Sequence, residues 1–350
     1  MKLYFSPLDF PGMTDQQALQ AAVDAAEQAK VKVVVVTPKP DGSAWKLDAP
    51  VQLPSYFTLI LSGCTLECKD TAFVNRYADV PQKTLATECH KLFILGRKGA
   101  KIKTRSQQPH IRICNARDCR IAGLTFEGGA GLELNHFQYS KLQMLVFRKC
   151  LRGVTFREGC NNIILESMDA QTKEEGILAQ CGESRILARD PEICNSILCR
   201  IRVKTEGAPA IRLLAEDSRI FNIVIRDVTD ETKGKGYAVV IGDFFEDGQF
   251  RDLTVRGVRS NRGCVFTESV CDGNFYSNLH PGNGFVPKAS SKENTRDFLE
   301  KKTMEIVLPQ FREELPDRNF VTATEERFFG TGDADTVQNA VNFAGQAQIG

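Results

Sequence analysis

Residues 153–175 read GVTFREGCNNIILESMDAQTKEE. The stretch begins with a glycine, continues as a short apolar segment, turns at a pair of asparagines, and ends with a second apolar segment and a charged loop. Short segments rich in Ile, Val, Leu and Phe are typical of β-strands. A unit with two such strands cannot bury its own apolar face, so it predicts neighbours of the same kind stacked against it.

The same order of segments recurs along the chain from about residue 111. The units differ in length, and their first residues are Gly131, Gly153, Gly176, Ala210, Tyr237 and Cys264. Stacking such units with parallel, in-register strands would bury one continuous core, as in solenoid proteins. No unit carries the 3.6-residue periodicity of helical repeats or the fixed Leu/Asn spacing of leucine-rich repeats. The sequence therefore predicts an all-β fold, a parallel β-helix.

Three asparagines stand at the same place in their units, immediately before the second strand. They are Asn162, Asn195 and Asn222. A side-chain amide both donates and accepts hydrogen bonds, so asparagines at equivalent turns can form a ladder in which each amide donates to the carbonyl of its neighbour. We expect such a ladder along the axis of the solenoid.

An open end of a β-helix exposes apolar rungs and unpaired strand edges, which have to be covered. Residues 14–30 suit this role, because Thr14 and Gln17 match a capping box and apolar residues recur on one narrow helical face. These are Leu19, Ala22, Val23 and Ala26. We predict an N-terminal capping helix over the first rung, ahead of the apolar run at 31–36.

The charge of the chain is nearly balanced, with 45 Lys and Arg against 44 Asp and Glu in 350 residues. A balanced charge gives no overall field that would favour nucleic acid or an anionic membrane as a partner. The sequence contains no apolar run long enough to span a bilayer. Its first residues also lack the long apolar stretch of a secretory signal, so we expect a cytoplasmic protein.

The twelve cysteines predict free thiols rather than disulfides. They are scattered through apolar segments, form no CxxC pair, and have no histidines at zinc-binding spacing. Free cysteine packs as a small hydrophobic residue. Buried, reduced thiols fit the reducing conditions of the cytoplasm.

The N-terminal segments resemble those of a known family. They are TDQQALQAAVDAAEQA at 14–29, VVVVTP at 33–38 and VQLPSYFTLIL at 51–61. This order of helix, apolar strand, Pro/Gly turn and short strand is similar to the opening of pectate-lyase-like, right-handed parallel β-helix proteins. Within that group, residues 8–285 resemble the polygalacturonase-type glycoside hydrolases. The resemblance implies a right-handed coil and an oligo- or polysaccharide as the partner.

The catalytic motifs of that family are replaced in this chain. Polygalacturonases carry Asn-Thr-Asp, Gly-Asp-Asp, Gly-His-Gly and Arg-Ile-Lys in successive coils, which supply an acid–base pair, a helper histidine and a basic pair for a uronate. The corresponding segments here are TKEEGI at 172–177, EGAPAI at 206–211, KGYAVVIG at 235–242 and RGCVFT at 262–267. An inverting glycosidase needs two carboxyl groups roughly 6.5–9.5 Å apart. Since only the first segment keeps an acidic pair, the family's mechanism does not carry over.

That acidic pair, Glu174 and Glu175, is the strongest acidic candidate. It precedes a predicted strand, where one carboxyl could act as an acid or both could bind a cation. The alternative is a solvated turn. Glu206 and Lys235 precede the next two strands, and stacked strands lie about 4.8 Å apart, so both would converge with Glu175 on one face.

A row of outward-facing residues is predicted along one face of the solenoid, because side chains alternate along a strand. The row is Glu133, Thr155, Leu178, Arg212, Val239 and Phe266. Arg212, at its centre, can bind a sugar carboxylate through two hydrogen bonds. The alternative is a surface residue paired with Glu175.

Together these positions form the candidate site predicted from the sequence. Catalytic roles are assigned to Glu174, Glu175 and Arg212. Substrate-binding roles are assigned to Glu133, Glu206, Lys235, Tyr237 and Phe266.

Each of two further charged segments could have a function or could simply be solvated surface. The basic residues of KIKTR at 101–105 share a strand face and could attract an anionic polysaccharide or a phosphate, although most such runs are simply solvated. Asp243, Glu246 and Asp247 lie close together in a turn and could hold calcium. Apart from this calcium candidate, we predict no cofactor and no metal site.

Three functions are compatible with these observations. The first is a glycoside hydrolase or polysaccharide lyase that acts on an oligo- or polysaccharide, with a uronate-containing polymer as one candidate. The second is a non-catalytic carbohydrate-binding or scaffold β-helix. The third is an oligomeric, tailspike-like module in which Leu178 and Phe266 pack against copies of the chain. Fold analogy alone does not decide among them.

The C-terminal part is predicted to be separate from the β-helix domain at 1–285. Residues 286–325 are charged and punctuated by prolines, as in a linker or a helical cover. Residues 326–350 repeat the N-terminal cap, with Phe328 and Gly330 at the places of the earlier Phe-x-Gly. We interpret this echo as the start of a second domain that is cut short, and the alternative is a cap for a neighbouring end.

Overall fold

The computed structural model describes residues 3–79, 85–182, 192–242, 248–269 and 271–282. Within these ranges the chain winds into successive coils, and the strands of one coil pair with those of the next. All of these pairings are parallel. The all-β, right-handed parallel β-helix predicted from the sequence is confirmed.

The strands are short in the N-terminal coils and longer further on. The first coils contain β1 Val33–Val36, β2 Trp45–Leu47, β3 Val51–Leu53, β4 Phe57–Ser62, β5 Thr65–Cys68, β6 Phe73–Asn75, β7 Cys89–His90, β8 Leu92–Arg97 and β9 Lys101–Thr104. The middle coils contain β10 Ile111–Arg117, β11 Arg120–Ala122, β12 Thr125–Glu127, β13 Leu132–Cys150, β14 Val154–Phe156, β15 Asn161–Thr172, β16 Ile177–Cys181 and β17 Ile193–Lys204. The last coils contain β18 Ile211–Ala215, β19 Arg219–Asp230, β20 Tyr237–Ile241, β21 Gln249–Arg251, β22 Thr254–Ser260, β23 Gly263–Thr267, β24 Cys271–Asp272 and β25 Phe275–His280.

One α-helix precedes the strands. Helix α1, Asp15–Gln28, begins after Thr14, whose side chain and that of Gln17 form the predicted capping box. Its buried residues are Ala18, Leu19, Ala22, Val23 and Ala26. The helix packs on β1, β2 and β3, so it covers the apolar end of the solenoid as the sequence predicts. A short 3₁₀-helix, Pro7–Asp9, leads into it, and a second one spans Leu85–Thr87.

Three parallel sheets surround one core. The first sheet contains β3, β6, β14, β16, β18, β20 and β23 together with the N-terminal ends of β10 and β13. The second sheet includes β1, β4, β8 and β11, and the third includes β2, β5, β9 and β12. The long strands β13, β15, β17, β19 and β22 bend at corners and continue from the second sheet into the third.

The inward side chains of the first sheet form a column along the axis. The column is Val51, Phe73, Ile111, Leu132, Val154, Ile177, Ile211, Val239 and Val265, each at most 1% exposed. Burying one such side chain contributes about 1.5–3 kcal/mol. Because each coil adds one of them, the core grows with the number of coils rather than around a single centre.

The predicted register is wrong by one residue in one unit. Ile211 pairs with Val239, so Val239 faces the core and Val240 occupies the outward row. The unit therefore begins at Ala238 rather than Tyr237. Strand β20 starts at Tyr237, two residues before Val239, which is the residue that pairs with the first residue of β18. In a β-strand a slip of one residue moves a side chain to the opposite face.

The corner that starts the second sheet carries the asparagine ladder. The side-chain amide of Asn222 donates to Oδ1 of Asn195 at 2.7 Å, which confirms the ladder for this step. One coil earlier, Asn162 donates instead to Oδ1 of Asn161 at 3.0 Å. The three ladder asparagines have φ between 51° and 54°, in the left-handed region that asparagine tolerates better than most residues.

The cysteines agree with the expectation of free, buried thiols. Eleven have described side chains, and all eleven are free and buried. Among the described residues, no helix is both long enough and apolar enough to cross a membrane. The predicted segments at 286–325 and 326–350 lie outside the described residues, so the two interpretations of the C-terminal echo stay predictions.

Candidate functional site

The outer face of the first sheet presents one side chain per coil at each level. The row that contains Arg212 is Gln52, Val74, Arg112, Glu133, Thr155, Leu178, Arg212, Val240 and Phe266. From Glu133 onwards, the row has the residues that alternation predicts, except that Val240 takes the place of Val239. We call this row, with the turns that precede its strands, the first-sheet face.

The apolar members of the row are covered. Leu178, Val240 and Phe266 are 3%, 9% and 7% exposed. Leu178 and Phe266 therefore do not form the exposed apolar patch on which the predicted oligomer rested, because these side chains are packed within the chain. Oligomerisation itself stays a prediction. Polar side chains supply the accessible part of the row.

Arg212 is half-buried and lies near a carboxylate two coils further along. Its Nη2 is 4.0 Å from Oε2 of Glu268, which follows β23, and the two side chains are 27% and 26% exposed. The guanidinium therefore reaches past the coil of Val240. The alternative in which Arg212 pairs with Glu175 is not what these contacts show, since the carboxylate of Glu175 lies beside a different arginine.

That arginine is Arg152, which lies one coil before the acidic pair. Nε of Arg152 is 3.1 Å from Oε2 of Glu175, and its Nη2 is 2.5 Å from Oε2 of Glu174. The backbone N–H of Glu174 donates to the carbonyl of Leu151 at 2.8 Å, which stacks the two turns. One guanidinium thus binds two carboxylates. Glu175 is the more buried, with 12% of its side chain exposed against 42% for Glu174.

Glu206 and Lys235 lie in the next two turns, as predicted, but both are exposed. The backbone N–H of Glu206 donates to the carbonyl of Lys173 at 3.3 Å, so its turn stacks on the turn of the acidic pair. Across the described coils, neither side chain forms an ion pair with Glu175. The turns therefore lie side by side, as predicted, but the charged groups of Glu206 and Lys235 do not pair with the carboxylate of Glu175.

Tyr237 and Phe266 stack with ring centroids 4.8 Å apart and an angle of 23° between the rings. Together with Val240 they form a small apolar cluster outside the main core. Tyr237 is only 6% exposed. The pair can therefore shape the first-sheet face but offers little ring surface for direct stacking on a sugar.

Arg262, just before β23, does not lie on the face at all. Its side chain is 1% exposed and donates to the carbonyl oxygens of Gly207 and Ala208, at 2.7 and 2.5 Å. It thereby fixes the turn that precedes β18 and the strand that carries Arg212. Asp230 is its carboxylate partner.

The basic residues of KIKTR lie on the third sheet, away from the first-sheet face. Lys101 and Lys103 are 3.4 and 4.0 Å from the carboxylate of Glu127 in the next coil, which favours the plain, solvated interpretation. The calcium candidates Asp243, Glu246 and Asp247 lie outside the described residues. Within the described ranges, no three His, Cys, Asp or Glu side chains come together as metal ligands.

No family model matches the chain, and no curated protein matches its sequence. Solved structures do match its fold. The tailspike protein of E. coli bacteriophage HK620, in complex with a pentasaccharide, has a TM-score of 0.54 at 14% identity over 79% of this chain and 58% of the tailspike. ORF18 of Geobacillus virus E2 has a TM-score of 0.50 at 9% identity, over 79% of this chain and 62% of its own. The polygalacturonase of Erwinia carotovora ssp. carotovora has a TM-score of 0.48 at 12% identity, over 81% and 96%.

The chain has the pectate-lyase-like parallel β-helix fold. At these identities the similarity shows the fold alone, and the chain spans less than two thirds of the tailspike.

Sequence reasoning missed three partners on this pectate-lyase-like scaffold. They are Arg152 beside the acidic pair, Glu268 beside Arg212, and Asp79, whose carboxylate lies 2.5 Å from Arg112. A signal existed for the first of them. Arg152 and Glu175 each stand directly before the glycine that opens their units, so stacking the units places opposite charges side by side.

Proposed function

We propose that this chain is a carbohydrate-active protein that binds an oligo- or polysaccharide along the first-sheet face. The observation that carries this proposal is the outward row, which repeats side chains at the strand spacing of about 4.8 Å along the solenoid. Arg112, Glu133 and Arg212 supply its polar groups. A linear polymer rich in hydroxyl groups suits such a surface better than a compact ligand does. The tailspike of similar fold was solved with a pentasaccharide, which supports the proposal.

Arg212 is the residue that we expect to bind an acidic sugar. A guanidinium can hold a carboxylate through two hydrogen bonds. The contact between Arg212 and Glu268, at 4.0 Å, is too long for a hydrogen bond, so a sugar carboxylate at hydrogen-bonding distance would interact with the guanidinium more strongly than Glu268 does. A uronate-containing polymer is therefore the preferred ligand.

In the finer version of the proposal, the chain is a glycoside hydrolase or a polysaccharide lyase with Glu174, Glu175 and Arg212 as catalytic residues. For hydrolysis, one carboxyl group of the pair protonates the glycosidic oxygen and then, as a carboxylate, takes a proton from the water that attacks the sugar. Arg152 would orient both carboxylates. The remaining polar contacts with the substrate would come from Glu133, Glu206 and Lys235, and Tyr237 and Phe266 would shape the face on which the substrate lies.

A non-catalytic, carbohydrate-binding or scaffold protein is the second candidate. Two observations favour it. Arg152 already engages both carboxylates of the pair, and Ala208 and Pro209 stand where a second acidic pair would be.

Location, cofactor and assembly complete the proposal. The buried thiols favour the cytoplasm. Calcium at Asp243, Glu246 and Asp247 and a homo-oligomer stay as proposals that rest on the sequence.

A panel of soluble polysaccharides, with polygalacturonate included, tests the proposal. Binding is measured by affinity gel electrophoresis, and product by reducing ends and by the ultraviolet absorbance of unsaturated uronates. We expect Glu174→Gln and Glu175→Gln to lower product formation about a hundredfold, and Glu127→Gln in β12 of the third sheet to leave it unchanged. Product that survives both changes would remove the catalytic assignment. Binding without product supports the second candidate, and a chain that binds nothing in the panel contradicts both.

A further inference from the structure

Three tyrosines differ from the other aromatic residues of the solenoid. Tyr56, Tyr77 and Tyr139 are 57%, 53% and 37% exposed. All three have positive φ, at 58°, 72° and 49°. A bulky residue in the left-handed region is strained, and such strain is often found where a side chain serves a binding function.

Two of them occupy the corner that starts the second sheet. Successive coils place Tyr56, Lys91, Asp118, Tyr139, Asn162, Asn195 and Asn222 at this corner. Asn and Asp suit its left-handed backbone. Tyr56 and Tyr139 therefore stand where the local backbone favours another residue type, and departures of this kind are expected at functional positions.

Each of these two rings is supported on one side by a neighbouring side chain. Tyr56 stacks on His90, with ring centroids 5.9 Å apart and 17° between the rings. The guanidinium of Arg117 lies 4.8 Å from the ring centre of Tyr139. His90 and Arg117 are themselves neighbours in register. The support fixes the rings, so little side-chain entropy is lost when a ligand covers the opposite faces.

We call Tyr56, His90, Arg117 and Tyr139 the tyrosine ridge. From Tyr56 to Tyr139 the corner crosses three strand spacings, roughly 14 Å in total. A third exposed tyrosine, Tyr77, lies in the turn that follows β6 and leads towards the ridge. The ridge is thus an elongated surface with an aromatic ring at each end.

The polar side chains of the ridge have carboxylate neighbours. Nε2 of His90 is 3.1 Å from Oε2 of Glu88, and Nε of Arg117 is 3.8 Å from Oδ2 of Asp118. Nucleic acids bind through the neutralisation of several phosphates by Lys and Arg. In the tyrosine ridge, His90 and Arg117 both have a carboxylate neighbour, which leaves Lys91 beside them at the corner as a single further cation. Exposed rings with hydroxyl groups, beside paired polar groups, match the apolar ring faces and hydroxyls of sugars.

We propose that the tyrosine ridge is a second carbohydrate-binding surface, separate from the first-sheet face, on which a saccharide stacks against Tyr56 and Tyr139. This inference rests on the proposed function for its class of ligand. The ridge differs from the first-sheet face in its location and in its chemistry, because a sugar would stack on rings there rather than contact Arg212. A polymer held at both surfaces would gain affinity from the linkage of the two sites.

Asparagine variants test the ridge without disturbing the corner. Tyr56→Asn and Tyr139→Asn remove the rings and introduce the residue type that the corner favours, so the melting temperature should not fall. Met144→Asn is the matched control, since Met144 is 57% exposed and has φ of 50° at a different corner. Tyr56→Phe and Tyr139→Phe keep the rings. Binding is measured by affinity gel electrophoresis with the same polysaccharide panel and with a thymidine oligonucleotide.

Each asparagine variant should weaken polysaccharide binding about tenfold, whereas the phenylalanine variants and Met144→Asn should change it less than about threefold. A double asparagine variant that binds like the wild type, while Arg212→Ala loses binding, would overturn the ridge and leave the proposed function intact. A wild-type chain that binds none of the polysaccharides would overturn both. Tyrosine-dependent binding of the oligonucleotide alone would overturn the assignment of the ligand.

Discussion

Arg262 and Asp230 form an ion pair inside the solenoid, with Nε of the arginine 2.7 Å from Oδ2 of the aspartate. At most 1% of either side chain is exposed. The hydroxyl of Ser260 also donates to Oδ2 of Asp230, at 2.9 Å, and the backbone N–H of Thr232 donates to its Oδ1, at 3.1 Å. Buried charges of opposite sign with this many hydrogen bonds are strongly interdependent, because removal of one leaves the other unpaired.

Arg262→Met should therefore lower the free energy of unfolding by about 3–5 kcal/mol, since Asp230 would stay buried without its partner. Urea unfolding followed by circular dichroism gives the value. The control is Arg202→Met, because Arg202 is 63% exposed and lies 3.4 Å from Glu231. There we expect a change of less than about 1 kcal/mol. Equal losses in the two variants would contradict the role of the buried pair.

The asparagine ladder gives a second prediction. Asn222→Ala should destabilise the chain by about 2 kcal/mol. The change removes the hydrogen bond to Asn195 and puts alanine in a left-handed backbone conformation that is unfavourable for it. Asn222→Gly loses the hydrogen bond but suits the backbone, so it should cost only about 1 kcal/mol. The order of the two unfolding free energies is the measurement, and a glycine variant less stable than the alanine variant would rule out this explanation.

His110 should make the fold sensitive to mild acid. The side chain is fully buried, and burial lowers the pKa of its imidazole to about 4. An unfolded histidine has a pKa near 6.5, so from about pH 6.5 down to pH 4 the unfolded state binds a proton that the folded state does not, and stability falls.

His110→Gln tests this linkage. Between pH 7 and pH 4.5 the wild type should lose about 2–3 kcal/mol more of its unfolding free energy than the variant does. Urea unfolding at the two pH values measures the difference. Parallel losses in both proteins would show that His110 is not the acid-sensitive group.

The thiols should be unreactive in the folded chain. Burial raises the pKa of Cys150, Cys160 and Cys181 to about 12. The thiolate is the reactive form, so an aromatic disulfide reagent at pH 8 should leave these three unlabelled until urea unfolds the chain. Mass spectrometry of labelled peptides identifies each site. Fast labelling of any of the three before unfolding would be evidence against the packed core.

Substitutions of Arg212 and Glu268 should have different effects on the proposed binding of a uronate polymer. Arg212→Ala should weaken binding of polygalacturonate by about tenfold or more, because it removes a charge-assisted hydrogen bond. Glu268→Gln should leave binding unchanged or strengthen it, since it removes a competing carboxylate. Arg202→Ala on the third sheet is the control. An Arg212 variant with unchanged binding would remove this residue from the site.

The fold was predictable because the features that specify it lie within short segments of the sequence. Each unit carries its own strands, turn and corner residue, so repetition alone indicates a stacked solenoid. The helix at Asp15–Gln28 was also predictable, since its capping box and apolar stripe lie within one segment.

The site was less predictable because its contacts depend on register between coils. Loops of different length separate the units, so the start of the unit near Tyr237 could not be placed to the residue. The sequence therefore did not identify Val240 as the neighbour of Arg212 in the next coil. The contacts of Arg212 with Glu268 and of Glu175 with Arg152 could therefore not be predicted. The buried Arg262 had no local signal, because a basic residue before a strand usually indicates a solvated turn.

Two side chains reach past the neighbouring coil. Arg262 binds the turn at Gly207 and Ala208, and Arg212 approaches Glu268, in each case two coils away. A solenoid whose coils touch only their nearest neighbours frays from its ends, one coil after another. These longer links join three coils, so the stretch from β18 to β23 should open as one cooperative block, and fraying from the C-terminal side would have to break the whole block at once.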